Sequence, residues 1–290
     1  MGLGTMTFGL RATEATALGI LDVADSAGIT FIDTADVYPP TDQPAMRGRT
    51  EEIIGKWLRA RGARHRFVVA TKVGKPMRGR GQSGLRRAHI LRACEDSLRR
   101  LRTDYLDLYQ LHAPDFGSPI DETLSALDDL VRAGKVRHIG CSNFPIPDFV
   151  EALATSARLG LRRFVSHQVR YNLICRDIEA GLRPLCQAYD VRLLAYSPLA
   201  GGSLTHDGGA RGAFADLRHL AATRGLSLTH VALAWVISRP GVASTIVGAS
   251  RPGQLEDSLA AVDVVFDQEL QSACDAIHNA AAHPEVLQCA

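Results

Sequence analysis

The stretch Ala15-Thr-Ala-Leu-Gly-Ile-Leu-Asp-Val-Ala-Asp-Ser-Ala-Gly28-Ile-Thr-Phe-Ile-Asp33 holds a complete structural unit and its punctuation. From Ala15 to Ala27 apolar residues recur at three- and four-residue steps, the period of a helix with one apolar face. Gly28 follows, where a left-handed cap suits glycine, and it leads directly into the short apolar, β-rich run Ile29 to Asp33. Working outward, similar short runs read Phe67 to Lys72, Tyr105 to His112, Val136 to Cys141, Phe164 to Gln168, Val191 to Tyr196 and Ser244 to Val247. Gly2 to Met6, counted as a truncated first strand, brings the total to eight. Between them Thr50 to Ala60, Arg87 to Leu101, Asp121 to Ala133 and Gln254 to Val262 have helical period, and Gly134 is a second helix stop directly before a strand. Strand alternating with helix specifies a parallel sheet with crossover helices in the α/β class. A closed (β/α)8 TIM barrel and an open doubly wound sheet share this alternation. No linker, low-complexity tract or fixed repeat interrupts the series, so residues 1–290 are expected to form a single barrel domain.

Composition narrows the function. Apolar residues make up 46% and charged residues 22%, the balance of a soluble globular chain with a large core. No run approaches the roughly 20 apolar residues of a transmembrane helix. The opening Met1-Gly2-Leu3-Gly4 lacks the basic stretch and apolar run of a secretory leader. Lys plus Arg total 33 against 31 for Asp plus Glu, too weak a field to hold nucleic acid by counterion release. The cysteines at 94, 141, 175, 186, 274 and 289 are scattered without a C-x-x-C pair, which points to reduced thiols, a cytoplasmic setting and no metal.

In a βα barrel the strands' C-terminal ends carry the site. Asp33 ends one strand with Tyr38 five residues on, Lys72 ends the next, His112 the one after, and Ser142-Asn143 and Gln168 close two more. Singly, each has an ordinary reading: a turn cap for Asp33, a half-buried loop aromatic for Tyr38, a solvated charge for Lys72, a hydrogen-bonded core histidine for His112. Together they place a carboxylate, a phenol, an amine and an imidazole at one mouth. A phenol with a pKa of about 10 is a poor proton donor at neutral pH unless its anion is stabilised. Lys72 would stabilise it, Asp33 would keep Lys72 charged and aimed inward, and His112 would donate a hydrogen bond to a substrate carbonyl. None of the four can supply a hydride, so a reduction requires a cofactor.

The chain resembles the aldo-keto reductases over almost its full length. The resemblance is carried by Gly28-Ile-Thr-Phe-Ile-Asp-Thr-Ala-Asp-Val-Tyr38, Ala70-Thr-Lys72, Tyr105-Leu-Asp-Leu-Tyr-Gln-Leu-His112, Gly134-Lys-Val-Arg-His-Ile-Gly-Cys-Ser-Asn-Phe144 and Ala195-Tyr-Ser-Pro-Leu199, in the family's order. It is similar to the bacterial-type branch that includes potassium-channel β subunits. The resemblance implies an NADPH-dependent reduction of aldehydes and ketones, with the tetrad Asp33, Tyr38, Lys72 and His112 as catalytic residues. It also implies a cofactor lying along Gly4, Thr5, Met6 and Asp33, with Ser142, Asn143 and Gln168 on the nicotinamide amide and Tyr196 against the ring. The turn Ser197-Pro-Leu-Ala-Gly-Gly202, through Ser197, Leu199 and Gly201, would face the pyrophosphate, where glycine permits close approach. The segment Gly248-Ala-Ser-Arg-Pro-Gly-Gln-Leu-Glu-Asp257 matches the adenosine end, with Ser250 and Arg251 on the 2′-phosphate and Gln254 and Asp257 near the adenine. An arginine fork at a helix start favours the dianion of NADPH over NADH.

Three departures from the family pattern stand out. The usual N-terminal hairpin is missing, because the chain starts almost directly at Gly2-Leu-Gly-Thr-Met-Thr-Phe-Gly9; the long basic loop over the pyrophosphate is reduced to Ser203 to Phe214; and an Asn after the adenine-side carboxylate is Ser258. The loops Pro39 to Thr50 and Lys75 to Leu85, with Arg78, Arg80 and Arg86, border the expected mouth and suit either a small polar or anionic aldehyde or simple solvation. Two other functions compete. One is a nucleotide-binding regulatory barrel with little turnover. The other is a metal-dependent hydrolase using His112, His138 and His167, against which His138 lies inside its strand and the carboxylate and lysine ligands are absent.

Overall fold

A computed structural model describes residues 1–77, 82–205 and 213–281. The strands β1 (Gly2–Gly4), β2 (Phe31–Asp33), β3 (Val68–Val73), β4 (Leu106–Leu111), β5 (Val136–Ser142), β6 (Ser166–Arg170), β7 (Arg192–Tyr196) and β8 (Val242–Gly248) follow chain order round a closed barrel. Closure decides between the barrel and the open doubly wound sheet in favour of the (β/α)8 barrel. The helices are α1 (Glu14–Ser26), α2 (Arg49–Arg61), α3 (Arg87–Leu101), α4 (Ile120–Arg132), α5 (Ile146–Leu159), α6 (Leu182–Ala188), α7 (Ala213–Thr223), α8 (Leu228–Ile237), α9 (Pro252–Leu259) and α10 (Gln268–Ala281). Gly28 and Gly134 sit at φ +73° and +72° after α1 and α4, as their places in the sequence predict. The first strand is shorter than expected and ends at Gly4, because Met6 and Thr7 turn the chain toward the Phe8–Ala12 bridge.

Chain contacts define two compact units, residues 2–168 with 248–252, and residues 1, 169–247 and the chain from 253. In the first unit, side chains on each strand alternate between the helices and the barrel interior. On β3 the Thr71 hydroxyl donates to Glu51 Oε1 of α2 at 2.6 Å, so Lys72 points the other way. On β4 Tyr109 reaches the Ile90 carbonyl of α3 at 3.4 Å, which turns Gln110 inward. On β6 the His167 ring lies 4.8 Å from that of Phe149 in α5, leaving Gln168 inward. Parallel register then aligns Lys72 with Gln110, Gln110 with Gly140, and Gly140 with Ser166 in one interior row. Outside the strands, Gly55 lets α2 touch the end of α3; a methyl there would stand 2.7 Å from the Leu101 carbonyl carbon and nearer still to the Arg100 oxygen.

In the second unit α8 is buried from Leu228 to Val236 apart from His230. Its start is closed by a capping box in which Ser227 Oγ accepts from the His230 N–H and His230 Nδ1 accepts from the Ser227 N–H. The buried Trp235 stacks 5.1 Å from Tyr171 and beneath the guanidinium groups of Arg176 and Arg239. Arg176 in turn donates to Asp275 Oδ1 and to the Cys274 carbonyl of α10, both at 2.6 Å. No single helix among the described residues is long and apolar enough to cross a membrane.

Candidate active site

Register carries the polar strand ends to the same level. Asp33, the last residue of β2, is buried, and its carboxylate Oδ2 accepts from Lys72 Nζ of β3 at 2.6 Å. Lys72 is wholly buried and also donates to the Thr34 carbonyl at 2.8 Å. Its ammonium stands 5.1 Å from the centre of the half-buried Tyr38 ring, and a hydrogen bond to Tyr38 adds to that contact. Burial alone would drive the Lys72 ammonium toward neutrality, but the charge of Asp33, then Tyr38, and hydrogen bonds donated to both, hold its pKa above the usual lysine value. Lys72 is therefore a permanent cation at neutral pH, aimed at a phenol.

His112 follows β4 immediately, with its ring 5.8 Å from that of Tyr38 in an edge-on arrangement. Burial, reinforced by the charges of Lys72 and Lys75, pushes its pKa down to about 2. The ring is therefore neutral, and its buried Nδ1 has no hydrogen-bond partner among the described residues. Buried nitrogens of His89 and His167 share that condition, but only His112 stands beside Tyr38. Lys75, in the loop after β3, is itself pulled down by burial and by Lys72. The two mouth loops are tied together by Arg47, which donates to the Pro76 and Met77 carbonyls at 2.7 Å and to Thr41 at 3.3 Å. Arg78 and Arg80, expected on the same loop, lie outside the described residues.

The other expected site residues of the first unit fall into two groups. Gly4 pairs in register with Asp33, and the Thr5 N–H and hydroxyl both donate to the Asp33 carbonyl, at 3.1 and 2.8 Å, while Met6 is exposed. Thr5 thus braces Asp33 from behind. Ser142 pairs with Gln168, and Asn143, in the left-handed region at φ +58°, donates from its side chain to Ser142 Oγ at 2.9 Å and to the His112 carbonyl at 3.3 Å. Gln168 Nε2 donates to Asp33 Oδ1 at 2.7 Å. Gly248 is exposed at the end of β8, Ser250 is half-buried, and Arg251 is exposed at the start of α9 with no hydrogen bond or ion pair among the described residues.

In the second unit Tyr196 ends β7 half-buried, and its carbonyl accepts from the Tyr171 N–H at 3.3 Å. The turn that follows is held in an unusual conformation, with positive φ at Ser197, Ala200, Gly201 and Gly202. Asn172 Nδ2 pins it through the Ser197 carbonyl at 2.9 Å, and a Cβ on Gly201 or Gly202 would meet nothing within 4 Å. Within the turn the Ala200 N–H donates to the Ser197 carbonyl at 3.0 Å and the Gly202 N–H to the Leu199 carbonyl at 2.9 Å. Leu199 packs against the small core of Leu233, Val247 and Ala261. On α9 Gln254 is exposed, and Asp257 accepts at 3.1 Å from His230 Nε2; the tautomer follows from Nδ1 accepting at the helix cap.

The sequence model of the aldo/keto reductase family matches residues 1–279. This chain belongs to that family. It is 35% identical to the Protein tas of Escherichia coli over 98% of this chain and 95% of that protein. It is 37% identical to the uncharacterized oxidoreductase YrpG of Bacillus subtilis, covering 92% and 88%. It is also 32% identical to a probable voltage-gated potassium channel subunit beta of Oryza sativa, covering 90% and 86%. The chain is accordingly an oxidoreductase of a family that typically works with a nicotinamide cofactor.

Ser258, where the family pattern has Asn, is buried and its hydroxyl donates to the Gln254 carbonyl inside α9. Of the shortened loop from Ser203 to Phe214, residues 206–212 lie outside the described residues, as does Cys289. The hydrolase alternative fails on geometry. His167 faces Phe149 outside the barrel wall, His138 is exposed near the start of β5, and His112 lies at the mouth, so no common ion could reach all three. Sequence reading missed Gln110, whose amide donates to Asp33 Oδ1 at 3.2 Å, and the buried carboxyls of Glu51 and Asp36 with the half-buried Arg100, which donates to Glu51. Burial, then Glu51, pushes the Asp36 carboxyl well above the ordinary range. The available signal for Gln110 was an amide within the apolar run Leu106 to Leu111.

Proposed function

We propose that this chain is a cytoplasmic, NADPH-dependent reductase of small aldehydes and ketones, working as one barrel domain over residues 1–290. The observation that carries the proposal is the buried Lys72 ammonium, held by Asp33 at 2.6 Å and set 5.1 Å from the ring centre of Tyr38. Such a cation favours the phenolate, so Tyr38 can release its proton to a developing alkoxide at neutral pH. His112, neutral and with an unsatisfied buried nitrogen, orients the carbonyl by a hydrogen bond and adds no competing charge. NADPH, when bound, supplies the hydride. The residues fit that group: the turn Ser197–Gly202 has open space over two glycines for a pyrophosphate, and Arg251 is an exposed cation without a partner among the described residues. By the family resemblance Ser142, Asn143 and Gln168 would hold the nicotinamide amide and Tyr196 its ring. Gly4, Thr5, Met6 and Gly248 would line its course, Leu199 would lie with the pyrophosphate, and Ser250, Gln254 and Asp257 would serve the adenosine end. No disulfide joins the described cysteines and four of the five are buried, which supports a reducing compartment.

The likeness to a potassium-channel β subunit favours a second reading, a nucleotide-binding barrel with little turnover. One experiment separates the two. Purified protein is titrated with NADPH and with NADH by quenching of intrinsic fluorescence, and 4-nitrobenzaldehyde is then added while the reduced nicotinamide absorbance is followed. The reductase binds NADPH and consumes it with aldehyde. Tyr38→Phe loses turnover by about 100-fold or more while binding NADPH nearly as well. NADPH binding without aldehyde-dependent consumption would instead establish the regulatory reading.

A further inference from the structure

Gln110 is fully buried on an interior row whose other β4 members, Leu106 and Leu108, are apolar. An amide in such surroundings costs several kcal/mol unless both ends are bonded, and both ends of this one are spent on site residues. Its Nε2 donates to Asp33 Oδ1 at 3.2 Å, and its Oε1 accepts from Gln168 Nε2 at 3.3 Å. Gln168 Nε2 also donates to Asp33 Oδ1 at 2.7 Å, closing a triangle of two amides on one carboxylate oxygen. The other oxygen, Oδ2, carries Lys72. Room for this arrangement comes from Gly140, the register partner of Gln110: a methyl there would stand 3.4 Å from Gln110 Cγ, 3.1 Å from the Ser166 carbonyl oxygen and closer still to Ser166 Oγ.

We infer that Gln110 is a positioning residue of the reductase site, a step that rests on the function proposed above. It fixes the plane of the Asp33 carboxylate, so that Oδ2 stays on Lys72 and Lys72 stays aimed at Tyr38. Held through Lys72 alone, the carboxylate could swing about its own side-chain bond; two donors on Oδ1 stop that motion. Gln168 is the member that the family resemblance assigns to the nicotinamide. Gln110 is fully buried, and its Nε2 donates to Asp33 Oδ1.

The test compares wild type, Gln110→Met and Gln110→Glu, each alone and with Tyr38→Phe. Subtracting the phenolate absorbance of each Tyr38→Phe partner isolates the titration of Tyr38, with no turnover required. NADPH affinity and the pH profile of kcat for 4-nitrobenzaldehyde are measured beside it. Gln110→Met is expected to bind NADPH as wild type does, to lose about tenfold in kcat, the size of one hydrogen bond to a charged group, and to titrate Tyr38 at higher pH. Gln110→Glu sets a like charge against Asp33 and shifts the titration further. A structural role alone would lower stability and leave both titration and pH profile in place; that result in a folded Gln110→Met overturns the inference. Should Gln110→Met not fold, Gln110→Glu, which keeps the length and the acceptor oxygen, decides by the same titration. A wild type without turnover would defeat the reductase reading, while the Tyr38 titration would still decide the role of Gln110.

Discussion

Replacing Lys72 by Met and Asp33 by Asn, singly and together, probes the centre of the site through stability instead of rate. At 2.6 Å the pair attracts with about 5–7 kcal/mol at an effective dielectric constant of about 20. Both groups are almost fully buried, and each ion gave up several kcal/mol of hydration to be there, so the pair as a whole is close to break-even. Removing one partner is different, because the other charge is left behind. Lys72→Met strands the carboxylate on the amides of Gln110 and Gln168, and Asp33→Asn strands the ammonium on Tyr38 and the Thr34 carbonyl. Each single change should cost about 3–5 kcal/mol. The double variant leaves neither charge and should cost only about 1–2 kcal/mol, a coupling of roughly 4 kcal/mol or more. Equilibrium urea unfolding followed by tryptophan fluorescence measures all four corners. Turnover should be lost in all three variants, since the phenol has lost its cation in two and the cation its anchor in the third. Additive costs, with coupling under about 1 kcal/mol, would refute the arrangement inferred for the pair.

Three further outcomes follow from other parts of the molecule. His112 and His167 are held neutral by burial, with pKa values lowered to about 2 and about 4, whereas the unfolded chain takes up protons below about 6.5. Stability contributed by each is complete above that value and declines as pH falls, by about 1.4 kcal/mol per unit per histidine, until the folded value is reached. Urea midpoints between about pH 7 and 5 should show this slope, and His167→Asn should remove part of it; a flat profile would contradict the burial argument. Gly55→Ala drives a methyl into the Arg100–Leu101 backbone and should lower stability by about 1–3 kcal/mol, read as a fall in Tm, with an unchanged Tm showing that α2 and α3 have room to part. Arg251→Ala should weaken NADPH binding by about 10–100-fold and NADH binding by less than about threefold. Equal losses for both nucleotides would remove Arg251 from the 2′-phosphate.

Much of the site was legible because its residues stand where a strand stops. Asp33, Lys72, His112, Ser142 and Gln168 each mark the end, or near the end, of a short run rich in apolar and β-branched residues, and that placement survives in a single sequence. Helices α1 to α4 were legible through their one-sided periodicity. Helix α8 was not, because burial on nearly all sides makes it uniformly apolar and erases the period. Gln110 was passed over for a related reason: in a strand buried on both faces, alternation does not tell an inward amide from an outward one.

The amino-acid order alone thus specifies the eight strands, the helices α1 to α4 and α9, the family and the chemical types at the strand ends, since these depend on local period and on residue identity. Closure of the sheet, the row that aligns Lys72 with Gln110 and Gly140, and the two amides on Asp33 Oδ1 depend on strand register. Register is a relation between residues dozens to more than a hundred positions apart. A one-residue slip would turn Lys72 toward α2 and Thr71 into the barrel, with the same sequence and the same local preferences. Only the packed fold, in which every inward side chain must share a limited volume with its neighbours, selects one register and so sets the ammonium against the phenol.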